Sequence, residues 1–550
     1  MAENLQSENE KPTAVLDSAH VGDIEGAWGT IREHDIGARR SWGKKFLTLL
    51  AIIGPGLIVM VGDNDAGGVA TYAQAGQNFG LSLLWVLPLL LPVLIVNQEM
   101  VVRLGAVTGV GHARLILERF GKFWGAFSVG DLFLLNFLTI ATEFIGVALA
   151  LGYFGISPYI SVPIAAVGLI AITATGSFRQ WERFMFIFVG MNFLVIPLLI
   201  LAHPHAGPIL HGFLIPTAKG GTKSTAVLLI IAIVGTTIAP WQLFFQQSNI
   251  VDKRITPRWI NYERADTVIG SFVVVIAATA LVVTPAVAFQ HTAYAGHFVN
   301  AEAVAKGLER VIGHGAGPLF ALVLLNASVI GAAAVTLSTS YAFGDVFGIH
   351  HSLHRSFADA KMFYLLYSLL VILAAGVVLI PSAPLGLITT SVQALAGVLL
   401  PSATVFLLLL CNDKQVLGPW VNRPWLNMLA GLIVSTLLAL SLILMTTTVF
   451  PNANVLAIAL VLGVLIAVGF VGVGTRMLLP KQRAKRRAAA TLAAKEPAVR
   501  RETWRMPPLA LLERPIWSRA RVAAMGTLGF YLGLAVVMLF VRAIQIGTGH

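Results

Sequence analysis

Residues 54–85 read GPGLIVMVGDNDAGGVATYAQAGQNFGLSLLW. An apolar run enters through Leu57 and Val61. Asp63, Asn64 and Asp65 then interrupt it, and Gly67 and Gly68 follow. Three consecutive polar residues followed by glycines do not suit a lipid-facing helix. Such a break is tolerated at membrane depth only where the backbone lines a cavity or is buried in protein. A second break follows at GTTIAPWQ, residues 235–242, where Pro240 removes a helix hydrogen bond and frees a backbone carbonyl.

Working outward, the 550 residues are 57% hydrophobic and only 12% charged. The apolar residues fall in about thirteen blocks of membrane-spanning length. These lie near 47–72, 81–102, 126–151, 159–175, 184–202, 225–248, 266–289, 317–344, 362–380, 386–411, 425–449, 453–475 and 522–541. The net charge of +12 is distributed over alternate loops. Arg39, Arg40, Lys44 and Lys45 precede the first block, Arg114, Arg119 and Lys122 follow the second, and Arg179, Arg183, Lys253, Arg254 and Arg258 continue the alternation. This is the positive-inside pattern, which puts the N-terminus in the cytoplasm and argues against nucleic acid as a partner. The single cysteine, Cys411, excludes an intramolecular disulfide and a cysteine-rich metal site. The first forty residues lack the apolar core of a signal peptide.

Five regions are expected: a disordered cytoplasmic tail (1–44), a ten-helix transport core (45–411), two added helices (412–479), a basic cytoplasmic loop (480–521) and a last transmembrane helix with its tail (522–550). The basic loop carries KQRAKRR, RETWR and ERPIWSRAR, whose Trp504 and Trp517 suit an anionic lipid surface, although a solvated loop explains them as well. The two breaks open the first span of each five-span half. Breaks at matching places point to a transporter with inverted repeats and a site at the bilayer midplane.

Carboxylates inside an apolar stretch need a partner, and carboxylate oxygens beside freed carbonyls suit a hard cation. At this point the chain resembles the NRAMP family of divalent metal transporters. The family carries DPGN in its first span. Asp65, Ala66, Gly67 and Gly68 fall on those four positions. The segment IVGTTIAPWQLFFQQS places Ala239, Pro240 and Trp241 on the family's MPH and Gln246 on a second family histidine. ERADTVIGS, SVQALAGVLLP with Gln393, and NDKQVLGPWVNRPWLNMLAG extend the likeness from about 45 to 450. The resemblance implies an all-α polytopic membrane protein with a LeuT-type five-plus-five inverted repeat, broken first and sixth helices and additional C-terminal helices. It also implies a multi-pass protein of a prokaryotic plasma membrane that is no enzyme, holds no cofactor, and has a divalent metal ion and the lipid bilayer as partners.

The departures bear on the substrate. The family's Asn and Met ligands are replaced by Gly68 and Ala239, which removes a soft thioether and opens space. The expected site is then made of oxygen: Asp65, Asp63, Asn64, Gln393 and the Thr236 carbonyl, with Ala66, Gly68 and Ala239 at the family's ligand-bearing positions. Such a site favours partly hydrated Mg²⁺, with Mn²⁺ sharing the path, as in the NRAMP-related magnesium transporters of prokaryotes. Trp241 and Gln246 cannot relay protons as histidines do. Glu143, in TIATEFIGVALAL, is the surviving relay candidate, with a structural role as its alternative. Transport uncoupled from protons and driven by membrane potential is therefore expected. The alternatives are proton-coupled Mn²⁺ or Fe²⁺ transport and organic-solute transport on the same fold. Asp131 and Asn136 are expected to line a polar face with Glu143, with a place at the membrane interface as the alternative for Asp131, and His350, His351 and His354 to lie in a solvated loop.

Overall fold

The structure is a computed structural model that describes residues 14–220, 223–381, 385–450, 452–478, 499–513, 515 and 517–547. Among these residues ten helices are long and apolar enough to cross a membrane, or eleven if the bent pair Trp42–Ile52 and Pro55–Gly62 is one span. Two shorter apolar helices, Pro158–Thr173 and Arg521–Ala535, match two further apolar runs of the sequence. The KQRAKRR run lies outside the described residues.

In chain order the first span is Pro55–Gly62 plus Ala66–Phe79, the second Val86–Thr108 and the third Lys122–Tyr153. The fourth is Pro158–Thr173, the fifth Phe178–Leu201 and the sixth Lys223–Thr237 plus Pro240–Asp252. Pro257–Phe289, Ala316–Phe347, Lys361–Val378 and Leu385–Leu410 are the seventh to tenth. Pro424–Val449, Val455–Leu478 and Arg519–Gly547 complete the chain.

The packing itself carries the repeat. The first span packs on the seventh, and the sixth packs on the second. The third packs on the tenth, and the eighth on the fifth. First with fifth, and sixth with tenth, form another such pair, while third with eighth and fourth with ninth each map onto themselves. Exchanging the first five spans with the next five therefore leaves these neighbours unchanged, which is what two similar halves of opposite orientation require. The eleventh span covers the tenth and the sixth, and the last covers the eleventh and the tenth.

Both breaks have local causes. The first half of the first span starts at Pro55, whose missing N–H suits a helix start. The Asp266 carboxylate of the seventh span accepts from Gly54, Gly56 and Leu57 N at 3.0, 2.7 and 3.1 Å, capping that start from outside. Gly54 has φ 152°, and a side chain there would collide with the Glu182 carboxylate, so only glycine fits. The helix restarts at Ala66 with Asp65 as N-cap. In the sixth span the break falls at Ile238 and Ala239, and Pro240 starts the second half.

The expectation of a disordered tail over 1–44 is corrected for its described part. Asp17 caps the turn Ser18–His20, and strands Ile24–Gly26 and Gly29–Ile31 pair antiparallel, Ile24 opposite Ile31. Asp17 is bound by Arg355, Ala27 N donates to Glu182 Oε2 at 2.5 Å, and Arg254 Nε donates to Ala19 O at 2.9 Å. The segment is polar because its order comes from charged groups of the core rather than from an apolar core of its own. The histidine loop is corrected with it. His351 is buried and sits 3.0 Å from Asp345, and His354 stacks on Phe178; His350 alone is exposed.

Candidate metal site

The three residues of the first break are all buried. Asp65 is oriented by its capping role: Oδ1 accepts from Gly68 N at 2.6 Å and from Thr236 Oγ1 at 3.4 Å. Ala66 N, left without a helical partner at this start, donates to Glu143 Oε2 of the third span at 3.0 Å. Asn64 Nδ2 donates to Val274 O at 3.3 Å. Asp63 differs from all of these. Neither of its carboxylate oxygens has a hydrogen-bond partner among the described residues. Asn64 Oδ1, Glu143 Oε1 and Gln393 Nε2 are likewise buried and unpartnered. Buried polar atoms are almost always satisfied, so orphans gathered at one break mark a place for a ligand or water.

Thr236 contributes from the sixth span. Its carbonyl would ordinarily accept from residue 240, which is proline and has no N–H. Gln393, on the tenth span, reaches the same place: a side chain on Gly67 would collide with its amide. Gly68 faces the oxygen set. A Cβ there would lie 3.0 Å from Thr236 Oγ1, 3.1 Å from Asp63 O and 3.3 Å from Asp65 Oδ1. A side chain at 68 would therefore press on these oxygens, and glycine avoids that crowding. Gly331 of the eighth span completes the enclosure, since a Cβ there would lie 2.7 Å from Glu143 Oε2 and 3.0 Å from the Asp65 Cβ.

The structure thus brings Asp63, Asn64, Asp65, Ala66, Gly68, Thr236, Gln393 and Glu143 to one junction of four spans. Ala239 is buried at the start of the second half of the sixth span. Trp241 lies beneath the first break, its ring 3.5 Å from the position of a Cβ on Gly62. Gln246 points elsewhere, donating to Thr267 Oγ1 at 2.9 Å. Asn136 bonds Thr339 of the eighth span at 2.8 Å, whereas Asp131 accepts from Ser402 of the tenth at 3.0 Å. The two therefore do not share a face, as five residues of helix turn them apart. Among the described residues no group of three or more His, Cys, Asp or Glu is placed to hold a metal. The oxygen set of the junction mixes acids with amide and carbonyl groups, and the three histidines do not form a site.

Sequence reasoning missed a second buried charge cluster under the first span. Lys253 Nζ donates to Glu182 Oε1 at 2.6 Å and to the carbonyls of Ile52 and Ile53 at 2.7 and 2.9 Å. Glu263 is buried nearby with both oxygens unpartnered. The available signal was Glu263 and Asp266, two acids three residues apart at the start of an apolar span.

Comparison with known proteins gives the family and the fold. Residues 56–447 match the family model for natural resistance-associated macrophage protein-like (Nramp) proteins. The chain belongs to the Nramp family. The divalent metal cation transporter MntH of Bacillus subtilis (strain 168) is 28% identical over 423 residues, covering 73% of this chain and 93% of its own. The protein of the same name from Lacticaseibacillus casei (strain BL23) is 26% identical over 415 residues, covering 73% and 90%. Among solved structures, the Eremococcus coleocola manganese transporter superposes with a TM-score of 0.61 at 20% identity, covering 80% of this chain and 96% of that one. The Nramp chain is thus a nearly all-helical, multi-pass membrane protein with the expected LeuT-type core, its first and sixth helices broken.

Proposed function

We propose that this Nramp protein carries divalent metal cations across the plasma membrane of a prokaryote, with its N-terminus in the cytoplasm. Mg²⁺ is the preferred cargo, partly hydrated, and Mn²⁺ shares the path. The observation that carries this reading is Asp63: a carboxylate buried at a helix break, with no partner for either oxygen among the described residues, two residues from Asp65. An isolated buried carboxylate is strongly unfavourable, and a cation removes the penalty. The relatives named as divalent metal cation transporters support the class of cargo.

The preference for Mg²⁺ rests on what faces the site. Gly68 and Ala239 offer no amide or thioether, which leaves carboxylate, amide and carbonyl oxygens from the other residues of the junction. Mg²⁺ keeps several waters and needs only one or two carboxylates, whereas Ca²⁺ asks for six to eight oxygens. We further propose that transport is uncoupled from protons. A divalent ion gains about 4.6 kcal/mol per 100 mV from a negative-inside potential alone.

Uptake of Mg²⁺ and Mn²⁺ into proteoliposomes with a negative-inside potential tests the whole reading, with Asp65→Ala beside the wild type. Mg²⁺ uptake that vanishes in the variant is the expected result. Uptake of Mn²⁺ alone overturns the selectivity argument, proton flux with Mg²⁺ overturns the uncoupling, and no metal flux brings the organic-solute alternative forward.

A further inference from the structure

A cavity of about 350 Å³ opens far in sequence from the metal site, at the basic end of the bundle. Four arginines line it: Arg103 at the end of the second span, Arg264 at the start of the seventh, Arg423 before the eleventh, and Arg501 on the short helix Val499–Thr503. One carboxylate, Glu99, lines it with them. Glu99 is already shared. It lies 2.9 Å from Arg103 Nε and 2.5 Å from Arg264 Nη2. The rest of the Arg103 guanidinium is committed to Trp420 O at 2.5 Å and Asn422 Oδ1 at 2.6 Å.

Arg423 and Arg501 have no carboxylate partner among the described residues. Arg423 is exposed. Arg501 stacks over the Trp420 ring at 4.1 Å, which orients the guanidinium, and its Nε is buried without a hydrogen-bond partner. Burial, and then the charges of Arg423, Arg264 and Arg103, hold Arg501 below the usual arginine range. Four guanidinium groups against one carboxylate leave the cavity strongly cationic, and planar guanidinium forks match phosphate oxygens.

The remaining walls indicate where the phosphate comes from. Ile95, Val96, Val421, Trp425 and Leu426 complete the lining, and Trp425 is exposed. Beyond the cavity, exposed apolar side chains continue along both spans that border it. Ile269, Phe272 and Ile276 follow Arg264 on the seventh, and Met428 and Leu432 follow Trp425 on the eleventh. Arg264 to Ile276 is about 18 Å of helix, the reach of an acyl chain.

We propose that this cavity binds the phosphate headgroup of an anionic membrane phospholipid. The headgroup lies among Arg264, Arg423 and Arg501, and the acyl chains lie against the two apolar stripes. A bound lipid thereby ties the second, seventh and eleventh spans to the segment that carries Arg501.

Native mass spectrometry of the full chain, released from micelles doped with phosphatidylglycerol or phosphatidylcholine, tests this. The wild type is expected to retain phosphatidylglycerol about tenfold or more over phosphatidylcholine, and Arg423→Gln/Arg501→Gln to lose that preference. Arg423→Gln alone, at an exposed side chain, is expected to weaken it with the fold intact, while Arg40→Gln/Lys44→Gln leaves it unchanged. A preference that persists in the double variant, or that is absent from the wild type, overturns the proposal. Displacement by millimolar inorganic phosphate without any lipid preference overturns the lipid source and leaves a soluble phosphate site.

Discussion

Asp63→Asn separates a cation ligand from a merely structural acid, because the two predict effects of opposite kind. The side chain is fully buried, 0% exposed, and neither oxygen has a partner. In metal-free protein the ionised form carries an uncompensated desolvation penalty of several kcal/mol. The amide removes it, so the metal-free variant is expected to be more stable by about 1–3 kcal/mol. With metal present the effect reverses. A unit negative charge about 4 Å from a divalent ion, at an effective dielectric constant of about 20, contributes roughly 8 kcal/mol of gross attraction. Dehydration of both groups and the residual amide oxygen offset most of this. A net loss of about 3 kcal/mol remains, or about 100-fold in Kd. Thermal unfolding of purified protein across a Mg²⁺ titration reads both effects: a raised baseline without metal, and a metal-induced rise displaced to about 100-fold higher concentration. Identical baselines and identical metal dependence in variant and wild type would refute the reasoning, because Asp63 would then be neither an uncompensated charge nor a ligand.

Further outcomes follow from other parts of the structure. Gly68→Asn puts an amide among Thr236 Oγ1, Asp63 O and Asp65 Oδ1, and is expected to shift uptake from Mg²⁺ toward Mn²⁺ by about tenfold in competition assays; an unchanged ratio would show that position 68 does not set selectivity. Lys253→Met strands the buried Glu182 carboxylate and is expected to cost about 3–5 kcal/mol, with much of it recovered in Lys253→Met/Glu182→Leu; equal losses in single and double variants would exclude a coupled pair. Burial holds His20 below its ordinary value against the opposing pull of Asp252, with His351, Asp17 and Asp345 also facing it. Burial opposes protonation of His351, but Asp345 and the Ile349 carbonyl outweigh it and hold that group above its ordinary value. The His20 contribution is lost as pH falls below about 6.5, and the His351 contribution as pH rises above it. Docking of the N-terminal hairpin is therefore expected to be tightest near pH 6.5, seen as slowest hydrogen exchange over Ile24–Ile31; protection that changes monotonically from pH 5 to 8 would exclude this pair as its cause. Glu143→Gln preserves size and a hydrogen-bond donor, and is expected to retain at least about half of Mg²⁺ uptake; complete loss would mean that the acid itself cycles.

The sequence made the membrane class, both breaks and the junction residues legible because each is a local conflict. Asp63–Asp65 and Pro240 violate the rules for a lipid-facing helix, and such violations stand out without any knowledge of neighbours. Glu143 and Gln393 became legible only through family likeness, since one polar residue in an apolar span does not announce what it faces. The errors share a cause. The tail around Asp17 and His20 and the loop at His351 are polar, and polarity alone reads as solvation. Their order comes from partners hundreds of residues away, such as Arg355 for Asp17 and the His351 carbonyl for His20. Asp131 departs from the face of Asn136 because five residues of helix turn it toward Ser402, whereas Asn136, seven residues from Glu143, keeps to that acid's side.

The charge count at the first break bears on the uncoupled transport we propose. Three carboxyl groups, Asp63, Asp65 and Glu143, are buried there. Asp65 and Glu143 flank the same point, the position of a Cβ on Gly331, and a proton shared between two buried carboxyl groups this close would relieve their mutual repulsion. That would leave two negative charges, which one divalent cation balances. Removing the shared proton as metal arrives would strand a net negative charge in a site closed by four spans, at a cost of several kcal/mol. It would also need an acceptor. Trp241 offers only an N–H donor, and Gln246, neutral, is committed to Thr267. On the uncoupled transport proposed above, a proton kept between Asp65 and Glu143 while the cation enters and leaves would let two charges cross with each ion, driven by the potential together with the ion's own gradient.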